Sequence, residues 1–278
     1  MMLLQAAILG IIQGLTEFLP ISSSGHLILA RHFFGWDQTW PLNNPQIDLS
    51  LDLALHLGTA LAVLFYFRED LWRIFSSLGS KDTNRRQDRC LAIGIILGSI
   101  PAAVIGKLLE SQVEVILRSH LVLIGVFLIV FGILLWGFDR FRRKTMGIED
   151  VTIGNAFWIG VAQTLALMPG VSRSGITMTA GMAFGLKREA AARFSFLLMT
   201  PIVVGAALAK LLDLRHVPSD TLHQVLPGLA IGFVTSTIVG VLCIAFLLKY
   251  LRSNSVLPFT IYRILLGTAV IAALVTQM

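Results

Sequence analysis

Charged residues are scarce in this chain, at 14% of its 278 residues, whereas about 25% is typical of soluble domains. So little charge excludes an ordinary soluble domain. With 55% hydrophobic residues and a mean hydropathy of +0.79, the composition is typical of apolar spans joined by short charged loops. The short alternating segments of a membrane β-barrel are also missing. The sequence therefore predicts an all-α, multi-pass membrane protein forming one membrane-embedded domain over residues 1–278.

Cysteine is almost absent as well. Cys90 and Cys243 lie in or beside apolar segments without partner spacing, so neither a disulfide framework nor a cysteine metal site is implied. The net charge of +6 would suit nucleic acid, but in a membrane chain a bias of cations towards cytoplasmic loops explains it more simply. We therefore expect membrane lipids and no nucleic acid as partners; the sequence leaves homo-oligomer formation open.

Six apolar stretches are long enough to span a membrane. They cover roughly residues 50–67, 89–109, 118–138, 191–212, 224–248 and 257–276. Two further regions, 3–34 and 153–186, are interrupted midway, at Pro20 and at Pro169-Gly170. Broken backbone at membrane depth is tolerated only where it is buried in protein or faces a water-filled cavity. Both regions are therefore predicted to be helical hairpins that enter the membrane and return to the same side.

The two hairpin regions resemble each other at a spacing of 150 residues. Matching pairs are Gly10 and Gly160, Gln13 and Gln163, Leu15 and Leu165, Ser22 and Ser172, Ser24 and Ser174, and Gly25 and Gly175. Three spans follow each hairpin, and an odd number of crossings separates the two hairpins, which predicts inverted repeats over approximately 1–138 and 151–278. Such repeats usually place a binding site near the midplane, where half-helix N-termini face an anion.

Serine follows both interruptions, in the runs SSSGH (22–26) and SRSGIT (172–177). Serine is a preferred N-cap, so Ser22 and Ser172 are predicted to open the returning half-helices. The free backbone N–H groups and the positive dipole end of such helices favour an anion. Arg173 adds a guanidinium fork suited to phosphate oxygens.

Polar side chains beside the breaks are the candidate site. A carboxylate such as Glu17 between leucines is costly unless paired, which favours function over an interfacial position. Gln13, one turn earlier, either supports the site or joins helices by a hydrogen bond. Ser23 is the better exposed nucleophile candidate. His26 is a candidate acid, base or nucleophile, with a hydrogen-bonded core histidine as the alternative.

Three other polar residues receive a different interpretation. Asp52 and His56 lie one turn apart, which favours a pair at a helix interface over a functional role. Arg263 lies near the inner membrane face, where it either snorkels towards water or belongs to the site.

The stretches QGLTEFLPISSSGH (13–26) and PGVSRSGIT (169–177) resemble the two signature stretches of the bacterial undecaprenyl-diphosphate phosphatase family, the membrane phosphatases associated with bacitracin resistance. The resemblance extends over nearly the whole chain in length, hairpin placement and span order. It implies an enzyme of the bacterial cytoplasmic (inner) membrane. Such an enzyme hydrolyses undecaprenyl (polyprenyl) diphosphate to the monophosphate and inorganic phosphate, which recycles the lipid carrier of cell-wall synthesis.

The resemblance also implies roles for individual residues. The catalytic positions are Glu17, Ser23, His26 and Arg173, and the phosphate-binding positions are Ser22, Ser24, Gly25, Ser172, Ser174 and Thr177, with Gln13 and Gln163 supporting. One position departs from some members of the family, because an acidic residue four before Glu17 is Gln13 here. No metal site is therefore assigned, and no cofactor is certain; a divalent cation, Mg²⁺ or Ca²⁺, would arrive with the diphosphate.

Two questions stay open at the level of sequence. Ser23 attacks the terminal phosphorus with Glu17 or His26 as base, or His26 is itself the nucleophile. The alternative function is a transporter or flippase of a phosphorylated lipid or another anion, since inverted repeats with broken helices are the usual architecture of transporters. A transporter needs Arg173 and the serine caps but has no need of a nucleophile with a base.

The loop charges predict the orientation of the chain. Fifteen of the 22 Lys and Arg residues lie in segments 68–89, 139–152, 187–193 and 249–256. Positive loops stay in the cytoplasm, so both termini should lie outside. A reporter enzyme that works only outside the cytoplasm, fused after residue 278, should be active. Activity only from a reporter restricted to the cytoplasm would reverse the topology.

Overall fold

The structure is a computed structural model that describes residues 2–36, 45–118, 120–213 and 219–276, and within these ranges the fold is all helical. The helices are α1 Met2–Thr16, α2 Ser23–Phe33, α3 Pro45–Tyr66, α4 Arg68–Ser76, α5 Arg86–Arg118, α6 Leu121–Phe141, α7 Ile153–Gln163, α8 Arg173–Ala183, α9 Arg188–Asp213, α10 Ser219–Leu251 and α11 Leu257–Val275. The predicted all-α, polytopic class is confirmed.

Four of the six predicted spans coincide with segments long and apolar enough to cross a membrane. These segments are Thr83–Leu109, Leu121–Phe141, Val225–Leu251 and Leu257–Val275. The predicted span 50–67 bends by 72° into the following helix and counts as a fifth span only when the pair is taken together. The predicted span 191–212 lies within α9, which is not among those segments, so a total of six stays a prediction.

The segment 68–89, predicted to be a charged loop, begins with the helix α4. Its acidic and basic residues suggested solvent, but they alternate with apolar ones so that Leu71 and Ile74 are buried while Trp72 is 77% exposed. A helix with one apolar face can lie along a surface without spanning anything. Alone, its nine residues are too few to cross a membrane.

The two predicted hairpins are present as broken helix pairs. In the first, α1 ends at Thr16 and α2 begins at Ser23; in the second, α7 passes through a 3₁₀ turn at Thr164–Leu167 and α8 begins at Arg173. Ser22 and Ser172 have φ angles of 78° and 74° and are the only non-glycine residues in the described ranges with positive φ. Each caps its helix by accepting a hydrogen bond from a glycine N–H three residues on. The predicted N-caps are confirmed.

The first helix of each hairpin packs against a long helix of the other half of the chain. Helix α1 lies along α10, and α7 lies along α5. The contacts need glycine, because a Cβ at Gly10 would lie 1.9 Å from Thr235 Oγ1 and a Cβ at Gly160 would lie 1.8 Å from the Gly98 carbonyl oxygen. Small residues let helix backbones approach in this way. The two halves therefore interlock.

A buried carboxylate joins the ends of three helices on the side of the charged loops. Asp139 lies near the end of α6; Arg188 Nε is 2.5 Å from its Oδ1, and the Val256 backbone nitrogen is 3.3 Å from its Oδ2. Lys144 Nζ lies 3.4 Å from Oδ1 as well. Asp139 thus fixes α6 to the starts of α9 and α11. In the sequence, Arg188 and Lys144 had served only as signals of topology.

The close approach at Gly160 gives a stability test. Gly160→Ala should lower the free energy of unfolding by about 1–3 kcal/mol, as overpacking does, because the new methyl meets backbone rather than a side chain that can move. Gly154→Ala in the same helix is the control, since its Cβ has 3.9 Å to the nearest atom. Thermal unfolding in detergent measures both. Equal stability of the two variants would contradict the close packing of α7 on α5.

Candidate active site

The two half-helices α2 and α8 begin side by side, and hydrogen bonds join their hairpins. The Gly170 backbone N–H donates to Ser22 Oγ at 3.1 Å, and Ser174 Oγ donates to the Leu19 carbonyl oxygen at 3.1 Å. The first residues of the two half-helices, Ser23 and Arg173, occupy equivalent positions in the repeat. Two positive helix ends thus meet at one place, which favours an anion there.

Arg263 of α11 holds both hairpin turns. Its side chain is fully buried, and its Nη1 donates to the Pro20 carbonyl at 3.0 Å in the first turn. Its Nη2 donates to the Gly170 carbonyl at 2.9 Å in the second turn, and its Nε to the Leu128 carbonyl of α6 at 3.0 Å. The snorkelling interpretation is wrong: backbone carbonyls inside the protein, rather than water, satisfy this guanidinium.

Glu17 is buried in the first turn, with 4% of its surface exposed. Its Oε2 accepts a hydrogen bond from Ser23 Oγ at 2.5 Å and another from Gln13 Nε2 at 3.1 Å. Gln13 Nε2 also lies 3.5 Å from Thr59 Oγ1 of α3. A short hydroxyl–carboxylate bond of this kind is strong and points the hydroxyl hydrogen at a group that can accept it.

Arg173 completes the arrangement from the second hairpin. Its Nη1 lies 3.9 Å from Glu17 Oε1, and 29% of the Arg173 side chain is exposed. That nitrogen is buried, yet among the described residues it has no hydrogen-bond partner. The pair with Glu17 is therefore loose, and the guanidinium keeps donors for an anionic ligand.

His26 contacts α11 with one edge of its ring and its own half-helix with the other. Its Nδ1 lies 2.7 Å from the Ser22 carbonyl oxygen, and its Nε2 lies 2.7 Å from the hydroxyl of Tyr262. In the described part of the chain, neither ring nitrogen forms a hydrogen bond with Ser23. The structure thus brings Glu17, Ser23 and Arg173 together and places His26 one turn along the same half-helix.

The predicted phosphate-binding residues divide into two groups. The hydroxyls of Ser22 and Ser172 are occupied as helix caps, and Thr177 Oγ1 donates to the Arg173 carbonyl at 2.8 Å and lies 2.6 Å from Ser195 Oγ. Ser24 is half-buried and 3.5 Å from Ser22 Oγ. Gly25 packs closely on α6, since a Cβ at this glycine would lie 3.3 Å from Cγ2 of Ile124. The buried residues of this set hold the starts of the two half-helices in place. Ser24 is exposed enough to contact a ligand.

The remaining polar residues fall where interface contacts were expected, with one addition. Asp52 accepts from both terminal nitrogens of Arg31, at 2.5 and 3.1 Å, and His56 Nδ1 lies 2.8 Å from the Asp52 carbonyl oxygen. No sequence pattern indicated Arg31 as the partner. Gln163 is buried with neither amide atom bonded in the described part of the chain, because Leu167 stands where the first hairpin has its carboxylate.

Comparison with known proteins gives one consistent result. Residues 6–269 match the family model of the bacitracin resistance protein BacA. A protein of Moorella thermoacetica named undecaprenyl-diphosphatase is 48% identical over 273 residues, covering 98% of each chain. Proteins of the same name from Pelobacter propionicus, at 46% identity over 99% of this chain and 98% of the relative, and from Geotalea daltonii, at 48% over 95% and 96%, are also similar.

The hydrogen bonds from Arg263 to the two hairpin turns and α6 can be tested by measuring stability. Arg263→Lys keeps the charge, but an ammonium cannot reach carbonyls on both turns and on α6, so buried acceptors lose their donors. We expect a loss of about 1–3 kcal/mol of unfolding free energy, the cost of leaving buried polar groups unpaired. Arg252→Lys is the control, because Arg252 forms an exposed pair with Glu189. If both variants melt at the wild-type temperature, Arg263 does not hold the hairpins.

Proposed function

We infer that the active site of this chain, which belongs to the bacitracin resistance protein BacA family, is the junction of the two hairpins. The chain is an undecaprenyl-diphosphatase, a membrane hydrolase that removes the terminal phosphate from undecaprenyl diphosphate. The reaction returns the lipid carrier of cell-wall synthesis to its monophosphate form, and its enzymes are the ones associated with bacitracin resistance.

One contact carries the assignment of the site, the 2.5 Å hydrogen bond from Ser23 Oγ to Glu17 Oε2. It joins a hydroxyl to a buried carboxylate at the point where two helix N-termini and Arg173 converge. Phosphoryl transfer through a covalent intermediate needs a nucleophile, a base and an anion site in contact with one another. An anion transporter has no use for the serine–carboxylate bond.

The first half of the proposed reaction uses these three residues. The terminal phosphate of the substrate lies between the starts of α2 and α8, with its oxygens on Arg173, Ser24 and the free backbone N–H groups. Ser23 Oγ forms a bond to the terminal phosphorus while its proton passes to Glu17. The bond from phosphorus to the bridging oxygen breaks, and the lipid monophosphate leaves.

In the second half, water hydrolyses the phosphoserine. The water oxygen bonds to phosphorus, and a proton of that water passes to His26 Nε2 and from there to the released phosphate. Ser23 Oγ leaves with the proton that Glu17 took. Inorganic phosphate is released. The geometry favours Glu17 over His26 as the base for the serine, since the serine hydroxyl is bonded to the carboxylate and the imidazole faces Tyr262.

The surroundings of the reaction are proposed on the same footing. We place the enzyme in the bacterial inner membrane, as the resemblance to the family implies, with both termini outside, as the loop charges indicate. A divalent cation would accompany the diphosphate and neutralise part of its charge, and the acidic ligand that the site offers such a cation is the Glu17 carboxylate. The polyprenyl tail would lie among the lipid-facing spans.

Ser23→Ala tests the nucleophile and separates an enzyme from a transporter. Phosphate release from undecaprenyl diphosphate should fall by orders of magnitude, because the covalent route is lost. Binding of a non-hydrolysable diphosphate analogue should persist within about threefold, since Arg173, the caps and the helix dipoles remain. Both are measured on purified protein in detergent, with the exposed Ser253→Ala as the matched control.

Three other outcomes would change the assignment. Substantial activity in Ser23→Ala together with none in His26→Ala would make His26 the nucleophile and Ser23 a phosphate ligand. Loss of analogue binding in Ser23→Ala would make the serine a binding group. Wild-type protein that binds the analogue without ever releasing phosphate from the substrate would favour transport.

A further inference from the structure

Tyr262 of α11 contacts His26 from outside its own half-helix. The Tyr262 hydroxyl lies 2.7 Å from His26 Nε2, although 236 residues separate the two in the chain. The rings also stack, with centroids 5.6 Å apart and planes 11° from parallel. Neither the motifs nor the repeat pointed to this tyrosine.

The other nitrogen of His26 fixes which way the hydrogen bonds run. Nδ1 lies 2.7 Å from the Ser22 carbonyl oxygen, and a carbonyl can only accept, so Nδ1 carries the hydrogen. In the neutral ring Nε2 is then the acceptor, and the Tyr262 hydroxyl is its donor. Both edges of the imidazole are thus satisfied, with Nε2 left as the single basic nitrogen.

The position of Tyr262 is itself constrained by its neighbour. Arg263, the next residue, is fully buried and bonded to both hairpin turns, which fixes the rotation of α11 against those turns. Tyr262 therefore meets His26 from a fixed direction. Tyr262 is itself 43% exposed, and Ile261 and Leu265 beside it are exposed as well, so the tyrosine forms the boundary between the site and the surroundings of α11.

We propose that Tyr262 is a positioning residue, whose hydroxyl holds Nε2 of the Nδ1–H form of His26 at the edge of the site. The proposal rests on the proposed function, in which Nε2 accepts a proton from the hydrolytic water. In the first half of the reaction the tyrosine hydroxyl donates a hydrogen bond to Nε2. In the second half the hydrolytic water replaces the hydroxyl as the partner of Nε2. Without the hydroxyl, the imidazole keeps only the Nδ1–H bond to the Ser22 carbonyl and is free to turn Nε2 away from the site.

Tyr262→Phe tests this role, because it keeps the stacked ring and removes only the hydroxyl. We expect kcat for phosphate release to fall about tenfold, a modest loss of transition-state stabilisation, while KM changes less than about twofold because the phosphate contacts are untouched. Tyr250→Phe is the control, since the ring of Tyr250 packs on Phe246 and Phe259 and, among the described contacts, does not touch His26. It should leave kcat and KM at the wild-type values.

A second measurement detects the hydrogen bond directly. Diethyl pyrocarbonate acylates a neutral imidazole at a free nitrogen, and mass spectrometry locates the product; His26→Gln identifies the peptide that loses it. With its Nε2 released, His26 should be modified at least about threefold faster in Tyr262→Phe than in wild type, as expected when a hydrogen-bond donor no longer occupies the lone pair. The Tyr250→Phe variant should be modified at the wild-type rate.

The two readouts distinguish the ways in which the proposal can fail. Unchanged kcat in Tyr262→Phe would overturn the positioning role, and so would a lower kcat with unchanged modification of His26 and a lower melting temperature, which is the pattern of a structural contact. A wild-type protein without phosphate release would instead remove the proposed function. The modification rates alone would then decide whether the hydroxyl holds Nε2.

Discussion

The hydrogen bonds of Arg263 are the constraint on which the site depends. A broken helix at membrane depth leaves backbone carbonyls without partners, and each unpaired group costs free energy in a low-dielectric interior. One guanidinium supplies donors to Pro20 in the first turn and to Gly170 and Val171 in the second. Because the same group serves both turns, the two half-helix starts are fixed relative to each other. Fixing the two starts also fixes the separation between Ser23, the first residue of α2, and Arg173, the first residue of α8.

The two hairpins share a backbone and differ in chemistry. Helices α2 and α8 have equal lengths, begin 150 residues apart and use the same cap with the same unusual φ. Side chains at matching positions then diverge: Glu17 faces Leu167 in the alignment, Ser23 faces Arg173, and His26 faces Ile176. The first hairpin thus carries the nucleophile and its base, and the second carries the cation. The strained cap conformation, which costs about 1–3 kcal/mol, is stabilised at Ser22 by the Gly170 N–H of the other hairpin.

Local signals in the sequence account for the parts that could be predicted. Proline, glycine and serine spacing predicted the breaks and the caps, because capping is a property of a few consecutive residues. The cost of a buried carboxylate pointed to Glu17. The roles of Arg263 and Tyr262 depend on partners more than 90 residues away, and no periodicity reports such contacts. Helix α4 was missed for the opposite reason, since its charges resemble those of a loop and its buried apolar face consists of Leu71 and Ile74 alone.

The hydrogen bonds of Arg263 also bear on the choice between hydrolysis and transport. Alternating access moves one repeat against the other around a fixed site. Here such a motion would have to break the bonds from Arg263 to one of the turns, and hydrogen bonds to a charged group contribute about 1.5–3 kcal/mol each. It would also have to separate α1 from α10 and α7 from α5, where glycines place the backbones in contact. Rigidity of this kind suits a site that must hold a serine on a carboxylate at 2.5 Å, because catalysis by pre-organised groups gains from the absence of rearrangement. The junction of the two hairpins therefore holds two helix ends still.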